Sequence, residues 1–267
     1  MVQFRVARVT FIVRITFALF VTTLAAGCGS GELIEETFKQ SYPIEPNGTI
    51  SLSNMDGSIF IYGDHKPGLQ IQAIKKAYSP TRLQAIAINV ASNPNSFTVS
   101  TVFPSSKRWS FSDRSGTVDY VVTLPATCEV SRADLKNGEI FITGMETGNV
   151  NASLENGRIV IKNCFGNVAA RSSTGVLALI YEWWGPRPFS ADARMTDGNV
   201  FATLPSDASF RIHAQALNGR IGNDFAEQEE RTGAIVTKVD QTVGDSPRAA
   251  INLTADDGNI KIIEANP

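Results

Sequence analysis

Histidine is nearly absent, with two in 267 residues, His65 and His213, far apart and with no cysteine at ligand spacing. That argues against the histidine and thiolate clusters that hold zinc, so no metal site is expected. The G-x-S-x-G elbow, the phosphate-binding loop and the dinucleotide fingerprint are missing as well. Acyl transfer, nucleotide hydrolysis and hydride transfer therefore have no motif to carry them, and no cofactor is expected. Basic surplus is lacking, the formal net charge being −2, which makes nucleic acid a poor partner. Long amphipathic helical runs are lacking too, so no helix is at hand to cover one face of a sheet. What the chain has in quantity is glycine, 21 residues, among many Val, Ile, Thr and Ser. That mixture predicts an all-β protein of short strands and tight turns.

The first acidic residue is Glu32. Before it, Arg5, Arg8 and Arg14 precede the apolar run "ITFALFVTTL" and the small residues "AAG" ahead of Cys28, the order of a bacterial export signal over residues 1–27. The apolar run is short for a membrane span. "LAAGC" resembles the lipobox of bacterial lipoproteins, which implies diacylglycerol on the Cys28 thiol, cleavage before it and acylation of the new amino terminus. Several acyl chains, at about 0.8 kcal/mol per buried methylene, make such an anchor effectively permanent. The resemblance implies a cell-envelope location with the membrane as a partner. Gly29, where an Asp would imply inner-membrane retention, favours the outer membrane in envelopes that have two. Without the signal, 21 basic and 26 acidic residues remain. Residues 28–47 read as a lipidated tether and lead-in with no helical or strand period until about Ile50, and residues 48–264 as a single repeat domain.

Within that domain glycine keeps time. Around Gly57, Gly138, Gly157, Gly175, Gly198, Gly219 and Gly258, small or apolar residues stand seven, five and three positions before and two and four after, with Asn54 and Asn223 as exceptions. Period-two alternation marks half-buried strands, so each glycine is expected at a turn between two strands. Asp56, Asn137, Asn156, Asp197, Asn218 and Asp257 precede six of the seven, the residue types of a positive-φ turn. Minor glycines, Gly148 and Gly166, extend the unit to about eighteen residues with two turns. Two topologies fit: an antiparallel meander or sandwich with Asn-Gly hairpins, or a β-solenoid of two-sided coils stacked one on another. The solenoid is preferred because a coil covers its own apolar face. It predicts that Ile140, Ile159 and Leu177 form one buried column.

The motifs "VDYVVTLP" (118–125), "NGEIFITGMETGNV" (137–150), "DGNVFATLP" (197–205), "ALNGRIGNDF" (216–225) and "AAINLTADDGNIKI" (249–262) resemble, in order, the putative-adhesin β-strand-repeat family of bacterial envelope proteins, a domain of unknown function. The resemblance implies a β-helix-like fold, an envelope location and no established enzymatic activity. It carries over no catalytic residues. The chain departs from the pattern at "PSSKRWSFSDRSG" (104–116) and at "YEWWGPRPF" (181–189).

The second departure is the candidate ligand-contact loop: Tyr181, Trp183, Trp184, Arg187 and Phe189 within nine residues. Aromatics and arginine are enriched at recognition hot spots, and flat rings suit sugars, so the loop either binds a glycan or protein or folds back to seal the core. Elsewhere, Ser79-Pro80 predicts the start of one short helix through Leu83 and Ile86. Asp56, Asp197 and Asp257 recur at one turn position, but Asn at the equivalent places cannot act as a general acid, so the position reads as structural. Cys128 and Cys164 fall on the same side of coils one apart, with Cα atoms about 10 Å from each other, beyond disulfide range, and are expected to be free buried thiols. The expected function is adhesion, binding or envelope scaffolding by a lipid-anchored solenoid. The alternative is a carbohydrate-active β-helix enzyme, which needs carboxylates converging in a groove.

Overall fold

Leu154 and Ile159 are both buried although they stand five positions apart, an odd spacing that would set them on opposite faces of a straight strand. Gly157 reconciles the two. Its φ of +133°, which side chains with a Cβ rarely adopt, rotates the chain through a corner without interrupting the strand. The computed structural model describes residues 32–93, 95–104, 116–185, 187–226 and 235–265. In chain order its elements are β1 (Ile34–Tyr42), β2 (Thr49–Asp64), β3 (Leu69–Ala77), helix α1 (Pro80–Ala85), β4 (Ala87–Asn93), β5 (Ser96–Val102), β6 (Thr117–Pro125), β7 (Glu129–Thr143) and β8 (Val150–Lys162). They continue with β9 (Asn167–Ile180), β10 (Phe189–Pro205), β11 (Phe210–Asn218), β12 (Ile221–Asn223), β13 (Lys238–Val243), β14 (Ala249–Asp257) and β15 (Ile260–Ala265).

The expected turns are therefore corners inside long strands: β2, β7, β8, β9 and β10 each run unbroken through a glycine. Neighbouring coils pair in parallel with glycine on glycine, from Gly57 to Gly138, Gly157, Gly175 and Gly198. This is the stacked β-solenoid. Antiparallel pairing of the meander kind is confined to its ends, in β1 with β3, β3 with β6, β4 with β5 and β11 with β13. Ile59, Ile140, Ile159, Leu177, Val200, Ile260 and Ile221, each two residues after a glycine, form one column of buried side chains. Each such side chain contributes about 1.5–3 kcal/mol by leaving water.

Asparagine before the glycine has a different task from the one its type suggested. Among the described residues positive φ occurs outside glycine only at Asn163 and Ser246. The side chains instead bond from coil to coil: Asn156 Nδ2 donates to Asn137 Oδ1 at 3.0 Å and Asn137 Nδ2 to Asp56 Oδ1 at 2.7 Å. Asn218 Nδ2 donates to Asp257 Oδ1 at 2.8 Å in the same way. Stacking places equal side chains one strand spacing apart, the separation at which an amide is both donor and acceptor to its copies.

Coil order is not chain order. β6 lies outside β2, although it follows it, and β14 with β15 inserts between β10 and the pair β11 and β12. Both ends of the stack thus interchange their last two coils, and β14 lies between two parallel neighbours, β10 and β11.

β1 falls inside the segment read as a tether. Only Ile34, Phe38 and Tyr42 are apolar on its half-buried face, a spacing of four that hides the period of two. Charge sets its register as well: Glu36 stands opposite Lys75, with Lys75 Nζ 3.0 Å from its carboxylate, and Glu35 opposite Lys76 at 3.5 Å. Helix α1 begins where Ser79-Pro80 predicted it, the Ser79 hydroxyl accepting from the Arg82 amide.

Candidate functional site

The segment 181–188 joins β9 to β10, where the preceding coil needs only the four residues 163–166 to join β8 to β9. Its base is fixed by reciprocal bonds: the Glu182 amide donates to Asn163 Oδ1 at 2.9 Å, and Asn163 Nδ2 donates to Glu182 Oε2 at 3.2 Å. Lys162 Nζ lies 2.7 Å from Glu182 Oε1, and its hydrogen bond holds the Glu182 carboxyl below the usual range.

The loop then divides its aromatics between two tasks. Tyr181 is buried among Phe165, Phe189 and Trp184 with ring centroids 5.2–5.6 Å away, and its hydroxyl donates to the Cys164 carbonyl at 3.1 Å. Burial raises its phenol well above the ordinary range. Trp184 is half-buried against Phe189 and Phe210, and its indole N–H donates to the Ser209 carbonyl at 3.2 Å. Phe189 is buried. These three seal the corner of the core where the coil is lengthened, and satisfy their polar atoms in doing so.

Trp183 does the opposite: it is 54 % exposed, and its ring lies on that of Phe165 with centroids 4.1 Å apart. Beside it a cavity of about 220 Å³ is lined by Glu146, Thr147, Phe165, Asn167, Arg187 and Pro188. Arg187 is exposed on that rim. The arrangement offers a flat apolar face, a cation, a carboxylate and amide and hydroxyl groups around one small recess. Phe165 was missed in the sequence, although an aromatic immediately before the minor glycine Gly166 marks the same corner one coil earlier.

The other candidates stay apart. Cys28 and residues 1–27, where an export signal is expected, lie outside the described residues, as do residues 105–115 of the first insertion. Asp56 and Asp257 are engaged by Asn137 and Asn218. His65 Nδ1 lies 3.7 Å from Glu146, and His213 Nδ1 3.7 Å from Asp240. Cys128 and Cys164 are buried free thiols.

No curated protein matches the chain. Among solved structures it is similar to a putative cell adhesion protein from Clostridium sporogenes, at 15 % identity over 86 % of this chain and 100 % of that one, with a TM-score of 0.44. A putative adhesin from Bacteroides fragilis matches at 15 % identity over 85 % and 97 % of the two chains, with a TM-score of 0.31. A putative adhesin from Parabacteroides distasonis matches at 10 % identity over 87 % and 98 %, with a TM-score of 0.25. The Toastrack profile, DUF4097, matches residues 11–263, spanning the whole stack from β1 into β15, and the chain belongs to that family.

Proposed function

We propose that the protein is a lipid-anchored component of the bacterial cell envelope that works by binding rather than by catalysis, with the Trp183 corner as its contact surface for a glycan. Anchoring is through Cys28, in the outer membrane where the envelope has two, and the segment before β1 connects the lipid to the stack. The observation that carries the binding reading is Trp183, 54 % exposed while its neighbours Tyr181 and Phe189 are buried. An indole left in water on a supporting ring gains little for the fold, and a rigid aromatic face is what sugar rings and interface partners pack against. Three of the five loop residues serve the core, so sealing and binding are combined in one loop and assigned to different side chains.

Two experiments test the halves of this reading. A fatty-acid analogue should label the wild-type protein in cells and fail to label Cys28→Ser; persistent labelling of the variant would end the anchoring claim. Titration of the purified domain with envelope polysaccharide should change its tryptophan emission saturably, and the change should disappear in Trp183→Ala. An unchanged response in that variant would move the binding surface elsewhere.

A further inference from the structure

Arg171 on β9 and Arg194 on β10 stand directly opposite each other in the parallel ladder, both exposed. Like charges in that position repel and weaken the pairing. One coil away the chain places Arg158 opposite Glu139 and closes a 2.6 Å ion pair, so the same scaffold neutralises an arginine where it has a carboxylate to offer. Among the described residues the side chain of neither Arg171 nor Arg194 has an ion-pair or hydrogen-bond partner, on a chain whose net charge is −2.

The pair borders an open groove of about 450 Å³ on the outer face of β9, β10, β14 and β11. Ala169 gives it depth, and Asp192, His213, Asn252 and Thr254 line the rest. Asp192 lines the groove as well and accepts from Asn252 Nδ2 at 2.8 Å, so two guanidiniums stand there with one carboxylate and the lining keeps a positive surplus. The lining is polar and rich in single donors and acceptors, the chemistry that matches sugar hydroxyls. The groove also continues the site already described. Asn167 lines the cavity beside Trp183, and Ala169 and Arg171 follow it on the same face of the same strand, so Arg171 lies about 13 Å along from Asn167.

We infer that the ligand is an acidic glycan, whose anionic group docks between Arg171 and Arg194 while a sugar ring a few residues along the chain packs on Trp183. The inference rests on the binding reading above and deepens it by naming the ligand class. Guanidinium pairs bind carboxylate and sulfate with parallel hydrogen bonds, and a bound anion turns the repulsion of the two side chains into attraction.

The test uses polygalacturonate and its fully methyl-esterified form, which share a backbone and differ in charge, with dextran sulfate as the sulfated arm. Wild-type protein should bind polygalacturonate about tenfold or more tightly than the ester, a preference that salt weakens. The double variant Arg171→Gln with Arg194→Gln should lose the preference and keep its affinity for the ester. A stronger response to dextran sulfate than to polygalacturonate keeps the inference and assigns the anion to sulfate. Equal wild-type affinity for acid and ester, or a preference retained in the double variant, would overturn it. Trp183→Ala separates the two claims. If it leaves ester binding unchanged while the arginine variant abolishes the acid preference, the groove stands and the aromatic contact falls; the reverse pattern keeps the contact and removes the groove. Binding of none of the three polymers by the wild type would overturn both.

Discussion

A Cβ built on Gly157 would lie 1.9 Å from the carbonyl oxygen of Gly138. Gly175 bears the same relation to Gly157, at 2.0 Å, and Gly258 to Gly198, at 1.7 Å. Glycine is thus demanded twice at the corner, by its φ and by the carbonyl of the coil beneath. Gly157→Ala should cost about 4 kcal/mol or more, since neither the corner nor the neighbouring backbone has room to move. Urea unfolding checks this, and a loss below about 1 kcal/mol would show that the corner relaxes.

The inserted strand has a consequence for local stability. β14 lies near the end of the chain yet pairs with β10 on one side and β11 on the other, and Ile251 and Leu253 are buried. Chain ends ordinarily exchange fast, whereas a strand paired on both edges opens only with much of the fold. Hydrogen exchange should find the Ile251 and Leu253 amides among the slowest, and slower than those of the edge strand β13.

Particular residues show where the sequence speaks and where it is silent. The spacing of Leu154, Gly157 and Ile159 repeats through the chain, so the core positions were readable from it, while the coil rather than a meander followed from the lack of a helix to cover an open apolar face. Coil order was not, because every coil carries the same pattern and pairing between parallel edges depends on contacts far apart in sequence. β1 escaped notice because part of its register comes from charges facing Lys75 and Lys76. The lengthened corner was visible as a crowd of aromatics, but the division of labour between Trp183 and Trp184 was not, since adjacent loop residues follow no period. Arg171 and Arg194 each stand four residues before a main glycine, so the glycine alignment already sets them side by side.

Burial pushes the Cys164 thiol up to about 12 and the Cys128 thiol up to about 11. The Tyr120 phenol, buried, is likewise pushed up to about 12. In the unfolded chain the thiols ionise near 9 and the phenol near 10, so between those values and the folded ones the native state holds more protons and stability falls as pH rises. Each group contributes a slope of about 1.4 kcal/mol per pH unit within its window. The melting temperature should hold up to about pH 8 and drop steeply from pH 9 towards 12, and Cys164→Ala should shallow that drop. In native protein at neutral pH both thiols should resist alkylation, and both should react once the unreduced chain is denatured.

Ser172 occupies a core position between Leu154 and Met195, buried, with no hydrogen-bond partner for its hydroxyl. Ser172→Ala removes a desolvated polar group at little loss of volume. It should stabilise the domain by up to about 1 kcal/mol. Destabilisation in thermal melts would mean that the hydroxyl is satisfied in solution.

Trp183 and Trp184 are neighbours given opposite tasks, one held out on Phe165 and the other packed on Phe189 and Phe210. The most direct measurement compares Trp183→Ala with Trp184→Ala, following melting temperature and binding to isolated envelope polysaccharide side by side. For a binding surface built on a sealed corner, Trp184→Ala should destabilise the fold by about 2–4 kcal/mol, while Trp183→Ala leaves melting within a degree or two and abolishes binding. A clear fall in melting temperature for Trp183→Ala with binding intact would contradict the account, leaving the loop a cap and nothing more.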